Sequence, residues 1–151
     1  RVRDYLQLLT NELNGFEYLE WLAEPGRILT ARAGLLVAKV EYVKSTPDAE
    51  FLILNTGTHH LLRPALYGAL HRMQALKLDS TRLRKVYDIV GLLCESSDYF
   101  AKDYAMLEPL EGEWLAIRDA GAYGRVMASC YNESPWPPEV IVLNDKLIGA
   151  E

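Results

Sequence analysis

Arg63 and Tyr67 stand four residues apart in Arg63-Pro64-Ala65-Leu66-Tyr67, and their types and spacing could grip a substrate. One helical turn sets both on the same side. A guanidinium would hold a carboxylate by charge, and a phenol would add one hydrogen bond. Pro64 suits the first turn of a helix and excludes a smooth interior. The same pair also fits a snorkelling Arg beside a packed Tyr. His59, His60 and His71 are near in sequence, but the Cys, Asp or Glu spacing of a metal site does not accompany them.

Cys94-Glu95-Ser96-Ser97-Asp98 follows an apolar run from Val86 to Leu93. Carboxylates beside a thiol keep it protonated, which suits a proton donor better than a nucleophile. A small core cysteine next to a polar turn is the plainer reading. Glu24-Pro25-Gly26-Arg27 ends another apolar run with a sharp break. Glycine lets backbone approach a ligand closely, and arginine forks onto carboxylate or phosphate. An ordinary turn with two surface charges has the same residues. Gly121-Ala122-Tyr123-Gly124 describes a tight turn that either presents a phenol or packs an aromatic ring. A catalytic triad is not readable, nor is a glycine-rich phosphate loop with Lys-Ser or Lys-Thr.

The elements that must position these clusters fall into two parts. Val2, Tyr5, Leu6, Leu9 and Leu13 recur at helical spacing, which predicts a helix from Val2 to Asn14 capped by Gly15. Phe16 to Ala23 has the length and composition of a strand. Leu36, Ala38, Val40 and Tyr42 then alternate with Val37, Lys39, Glu41 and Val43, the period of a strand. A turn at Ser45-Thr46-Pro47-Asp48 leads to Phe51–Leu54, predicting a hairpin. Further strands are expected at Val86 to Leu93, Trp114 to Arg118 and Val140 to Leu143, with a short helical turn around Pro64. The Pro135, Pro137 and Pro138 cluster reads as a stiff loop. The expected architecture is mainly β. Residues 34–151 would form a β-barrel or sandwich domain. Residues 1–33 would be the last helix-strand pair of an upstream β/α barrel, because a helix and one strand cannot bury both apolar faces alone.

Composition narrows the function. The 151 residues are half hydrophobic and a quarter charged, as in a globular domain with a real core. The net charge is -5, and Arg82, Arg84 and Lys85 are the densest positive cluster, which argues against a nucleic-acid partner. Apolar runs fall short of the roughly 20 residues that cross a bilayer, so no membrane role is expected. Cys94 and Cys130 do not make a disulfide framework and fit a reducing cytoplasm. The first residue is Arg1 rather than Met, and further sequence is expected upstream.

Taken in order, the clusters resemble the C-terminal part of diaminopimelate decarboxylases, in the alanine-racemase-like class of pyridoxal-phosphate enzymes. The resemblance runs from about Phe16 to Leu143. It rests on Glu24-Pro25-Gly26-Arg27, Arg63-Pro64-Ala65-Leu66-Tyr67, Cys94-Glu95-Ser96-Ser97-Asp98, Gly121-Ala122-Tyr123 and Tyr131-Asn132. The resemblance implies a β/α barrel paired with a β domain, in a cytoplasmic homodimer whose active sites are shared across the interface. It implies pyridoxal 5'-phosphate as cofactor, with Glu24 at the pyridine nitrogen and Pro25, Gly26, Arg27 and Tyr123 around the cofactor. It also implies Arg27, Arg63, Tyr67, Glu95 and Tyr123 as contacts to meso-diaminopimelate. Arg63 would take the distal carboxylate and Glu95 the distal ammonium. Cys94 would protonate the α-carbon once carbon dioxide has left, giving L-lysine. The Schiff-base lysine of such enzymes lies upstream of the sequence, so this chain alone is expected to be inert.

Ser97 stands where the family usually has Gly. Asn55-Thr56-Gly57-Thr58-His59-His60 replaces a more usual Asp-containing turn, and Glu133-Ser134 follow Tyr131-Asn132 where Arg is usual. The rivals are a related ornithine, arginine or carboxypolyamine decarboxylase, against which Arg63 argues, and a non-catalytic binding homologue, against which Cys94 and Glu95 argue.

Overall fold

The computed structural model describes residues 2–77 and 79–150. Its spine is β1, Leu36–Ser45, whose buried Ala38 and Val40 alternate with more exposed neighbours. The first half of β1 pairs antiparallel with β6, Trp114–Ile117. Its second half pairs antiparallel with β2, Glu50–Leu54, and the register shifts between Val40 and Tyr42. Such a bulge sharpens the bend of a strand, and here it carries β1 from one half of the sheet to the other.

The complete order of the six-stranded sheet is β3-β6-β1-β2-β4-β5, with β3 at Met73–Ala75, β4 at Arg84–Val90 and β5 at Tyr99–Leu107. The sheet is nearly closed. Its two end strands are bridged by the phenol of Tyr104 on β5, which accepts the Met73 N–H at 2.8 Å and donates to the Met73 carbonyl at 3.0 Å. One side chain thus satisfies both backbone groups of a residue on the facing edge. Leu52, Leu54, Ile89, Phe100, Leu115 and Ile117 fill the interior. Because β2 and β4 run parallel, their connection must cross over. That crossover carries α3, Arg63–Tyr67, and β3.

Three further elements precede the sheet. They are α1, Val2–Glu12, α2, Arg27–Thr30, and a 3₁₀ turn at Ala31–Ala33. The hairpin of β7, Val140–Leu143, and β8, Lys146–Ala150, turns on Asn144 and Asp145, both at positive φ, as a tight two-residue hairpin requires.

The expected strand at Phe16 to Ala23 is not formed. Those residues make turns and irregular backbone, with Leu19 N–H bonded to the Phe16 carbonyl and the Trp21 indole reaching the same oxygen. Their rings pack edge-on or tilted against Phe16. The expected helix ends at Glu12 rather than Asn14. The hairpin Leu36–Leu54, the turn around Pro64 and the strands at Trp114 and Val140 are formed. The strand predicted to reach Leu93 stops at Val90, so Cys94 lies within a loop. Two of the three basic residues of the cluster are ion-paired, and Arg84 donates to the Ala105 carbonyl. Arg82 forks onto Glu113, holding that carboxyl well down at about 2, and Lys85 bonds Glu108 at 2.6 Å.

Candidate functional site

The sequence-predicted residues gather in two places. The first is built on two glycines. Gly34 and Gly121 approach so closely that a Cβ on Gly121 would lie 2.2 Å from the Thr30 carbonyl oxygen and 2.7 Å from the Gly34 nitrogen. Gly121 donates to the Ala31 carbonyl, and Ala120 to that of Gly34. This contact sets the Tyr123 turn against the segment that begins with Glu24-Pro25-Gly26-Arg27. Gly26 takes φ 53°, which favours glycine, and the nearest atom to a Cβ there is 3.9 Å away. Glu24 and Tyr123 are exposed, and Tyr123 also sits at positive φ, 68°. Arg27 is half-buried, and its Nη1 is buried with no hydrogen-bond partner. A buried donor without a partner is costly unless a ligand supplies one. Exposed carboxylate, open glycine backbone, orphan guanidinium and exposed phenol fit a phosphorylated aromatic ring.

The second place is organised by residues 55–60, which open the β2–β4 crossover. Asp98 is buried, and its carboxylate accepts the N–H of Thr58 and the N–H of Leu93, each at 2.7 Å. Gly57 and Gly91 leave it room, since a Cβ on either would lie 2.8 or 2.2 Å from its oxygens. Asp98 N–H in turn donates to the Glu95 carbonyl, closing the loop that displays Cys94 and Glu95 at the surface. The crossover loop holds a third segment too. Ser129 N–H donates to the His59 carbonyl at 2.7 Å, and the His60 ring spans Thr56 Oγ1 and the Pro135 carbonyl. A carbonyl only accepts, so His60 Nε2 carries the proton and Nδ1 accepts from Thr56. Tyr131, held on that third segment, donates its phenol to Glu95 Oε1 at 2.8 Å.

Arg63 and Tyr67 lie on α3, which leaves the same loop. Gly68 at φ 60° caps it, with its N–H on the Arg63 and Pro64 carbonyls. Both side chains share one side of α3, with the Arg63 guanidinium 5.1 Å from the centre of the Tyr67 ring. Arg63 Nε is buried and unpartnered, while Tyr67 is exposed. His59 and His60 lie with ring centres 3.7 Å apart, while His71 stands apart and bonds the Arg118 carbonyl at 2.8 Å. Cys94 and Cys130 are both free and exposed.

Burial pushes the pKa of His59 and His60 down from 6.5, with each other's proximity adding at His60 and Asp98 opposing at both. The unfolded chain therefore binds more protons than the folded one below that value. Stability from these two rings is complete above pH 6.5 and is lost as pH falls through it toward their folded values. The urea midpoint is expected to fall between pH 7.5 and 5.5, and His59→Gln with His60→Gln should flatten that part of the profile.

Sequence reasoning did not find the roles of Asp98, His60 or Tyr131. Asp98 stands in the sequence only as the end of the Cys94–Asp98 cluster, and Gly91 carries no signal of its own. Three short loops meeting in space leave no periodic trace in a sequence.

Residues 20–121 match the pyridoxal-dependent decarboxylase C-terminal sheet domain. The chain belongs to that family. It is 42% identical over 145 residues to the diaminopimelate decarboxylase of Haemophilus influenzae, covering 95% of this chain and 34% of the relative. A crystal structure from Aquifex aeolicus superposes with a TM-score of 0.88 at 36% identity, over 96% of this chain and 36% of that one. The diaminopimelate decarboxylase of Helicobacter pylori, solved with L-lysine, superposes at 0.83 with 38% identity, over 98% and 36%. The chain thus spans about a third of the length of the relatives it matches.

Proposed function

We propose that this sheet domain serves a decarboxylase converting meso-diaminopimelate to L-lysine and carbon dioxide with pyridoxal phosphate. The observation that carries the reading is the loop stapled by Asp98, which displays a free thiol beside a carboxylate already held by Tyr131. The names of the relatives, at about 40% identity along nearly the whole chain, support the substrate. The domain would work in a cytoplasmic homodimer with shared active sites. Residues 1–33 would be the last part of an upstream β/α barrel, and the exposed apolar residues of α1 and of Phe16 to Leu22 suit cover by the rest of that barrel.

Pyridoxal phosphate, when bound, supplies an electron sink for the bond that loses carbon dioxide. Glu24 would keep the ring nitrogen protonated, while Pro25 and Gly26 shape the turn beneath it. Arg27 would offer Nη1 to an anionic oxygen, and Tyr123 would hold its phenol toward cofactor and substrate. Arg63 and Tyr67 would hold the distal carboxylate, and Glu95 the distal ammonium. The Cys94 thiol would give its proton to the α-carbon, becoming a thiolate that solvent reprotonates.

The test is carbon dioxide release by the full-length protein with pyridoxal phosphate, offered meso-diaminopimelate and ornithine separately. Release from diaminopimelate alone is expected. Release from ornithine alone would move the function to a mono-carboxylate diamino acid, and release from neither would sink the decarboxylase reading.

A further inference from the structure

Tyr131 takes no part in the chemistry above, yet its phenol donates a hydrogen bond to the carboxylate that would read the substrate's far end. We propose that Tyr131 is a positioning residue for Glu95, and that it sets the enzyme's preference for a substrate with a distal ammonium group. The inference rests on the proposed function.

Glu95 sits exposed on a loop, and a glutamate side chain has several rotatable bonds to freeze when it binds a cation. The phenol at 2.8 Å fixes one oxygen and leaves the other free to meet an ammonium. Its own backbone is held firmly. Asn132 and Glu133 follow at φ 54° and 57°, two successive left-handed residues that turn the chain sharply after Tyr131. Glutamate gains nothing from that conformation, so surrounding contacts must impose it. Those contacts exist on both sides. Ser129 and Pro135 are tied to residues 55–60, and the Arg125 guanidinium stacks 4.2 Å over Trp136 while bonding Glu139. Residues 55–60 also hold Asp98 of the Glu95 loop, so donor and acceptor are mounted on one platform. The neighbouring carboxylate raises the phenol's pKa, which keeps it a donor across the working range.

The experiment compares Tyr131→Phe, Glu95→Gln and the double variant in the full-length protein. Its substrates are meso-diaminopimelate and 2-aminopimelate, which lacks only the distal amine. Wild type should prefer diaminopimelate, and Glu95→Gln should remove that preference. Tyr131→Phe should cut it by about five- to twentyfold, through KM rather than kcat, as expected for one charge-assisted hydrogen bond. The double variant should be no worse than Glu95→Gln, because the phenol acts only through that carboxylate. A merely structural tyrosine would lower both substrates alike and add to the Glu95→Gln loss, which would overturn the inference. So would an unchanged preference in Tyr131→Phe. If Glu95→Gln itself keeps the preference, the reading of Glu95 fails and the role of Tyr131 falls with it.

Discussion

Arg63→Ala in the full-length protein is expected to lose at least about a hundredfold in kcat/KM on meso-diaminopimelate, the scale of leaving one partner of a buried charge pair alone. The side chain is prepared for a fixed anion. Its guanidinium rests 5.1 Å from the Tyr67 ring, and its Nε is buried without a partner. A donor in that state gains a hydrogen bond that water does not already supply. A distal carboxylate placed there would be desolvated together with the guanidinium, and alanine would strand it. The loss should fall mainly on KM, because that carboxylate is equally charged in ground and transition states. Arg63→Lys should recover part of it, since ammonium keeps the charge and loses the planar fork. An amino acid with one carboxylate should not notice either change. Wild-type-like turnover of diaminopimelate by Arg63→Ala, in protein with an unchanged melting temperature, would end the assignment.

That prediction depends on a geometry the sequence already carried. Pro64 in a first turn and a spacing of four residues were enough to put Arg63 and Tyr67 on one side of α3. The hairpin from β1 to β2 was readable for a similar reason, because the alternation from Leu36 to Val43 is a local signal. Elements that depend on distant partners were not readable. Phe16 to Ala23 has strand-like residues, but a strand exists only against a ladder, and among the described residues none lies beside it. β5 shows the opposite failure. Its apolar pattern is interrupted by Lys102 and Asp103, and Asp103 takes φ 51° while its N–H turns to the Asp88 carboxylate. The register with β4 shifts at that point, so one strand reads as two fragments. The candidate site divides in the same way. Residue types within each short cluster were legible, whereas the glycine contact that seats Tyr123 and the loop convergence that seats Glu95 were made by topology.

Asp98→Ala should bring the largest loss of stability, about 2–4 kcal/mol, since the buried Thr58 N–H and the part-buried Leu93 N–H lose their acceptor, at about 1–3 kcal/mol for a fully buried group. In a domain of this size that corresponds to a fall of about 10 °C in melting temperature. The 2.7 Å bond from Thr58 crosses between two loops, and the one from Leu93 closes the Cys94–Glu95 loop across five residues, so the one carboxylate ties that loop both to itself and to the crossover. Gly57 and Gly91 forgo side chains to admit this carboxylate, and removing it opens a void lined by backbone polar groups. Asp98→Asn should be milder but not neutral, because its amide presents a donor to one of the two N–H groups. Gly91→Ala should approach the alanine variant from the other side, as its Cβ would stand 2.2 Å from Asp98 Oδ2. Hydrogen exchange separates this staple from general weakening. The amides of Thr58 and Leu93 should lose protection in Asp98→Ala well before those of Leu52 and Ile89 in the core. Equal loss at all four would mean that Asp98 supports the whole sheet. Unchanged protection at Thr58 and Leu93 would mean that the Cys94–Glu95 loop is held by something else.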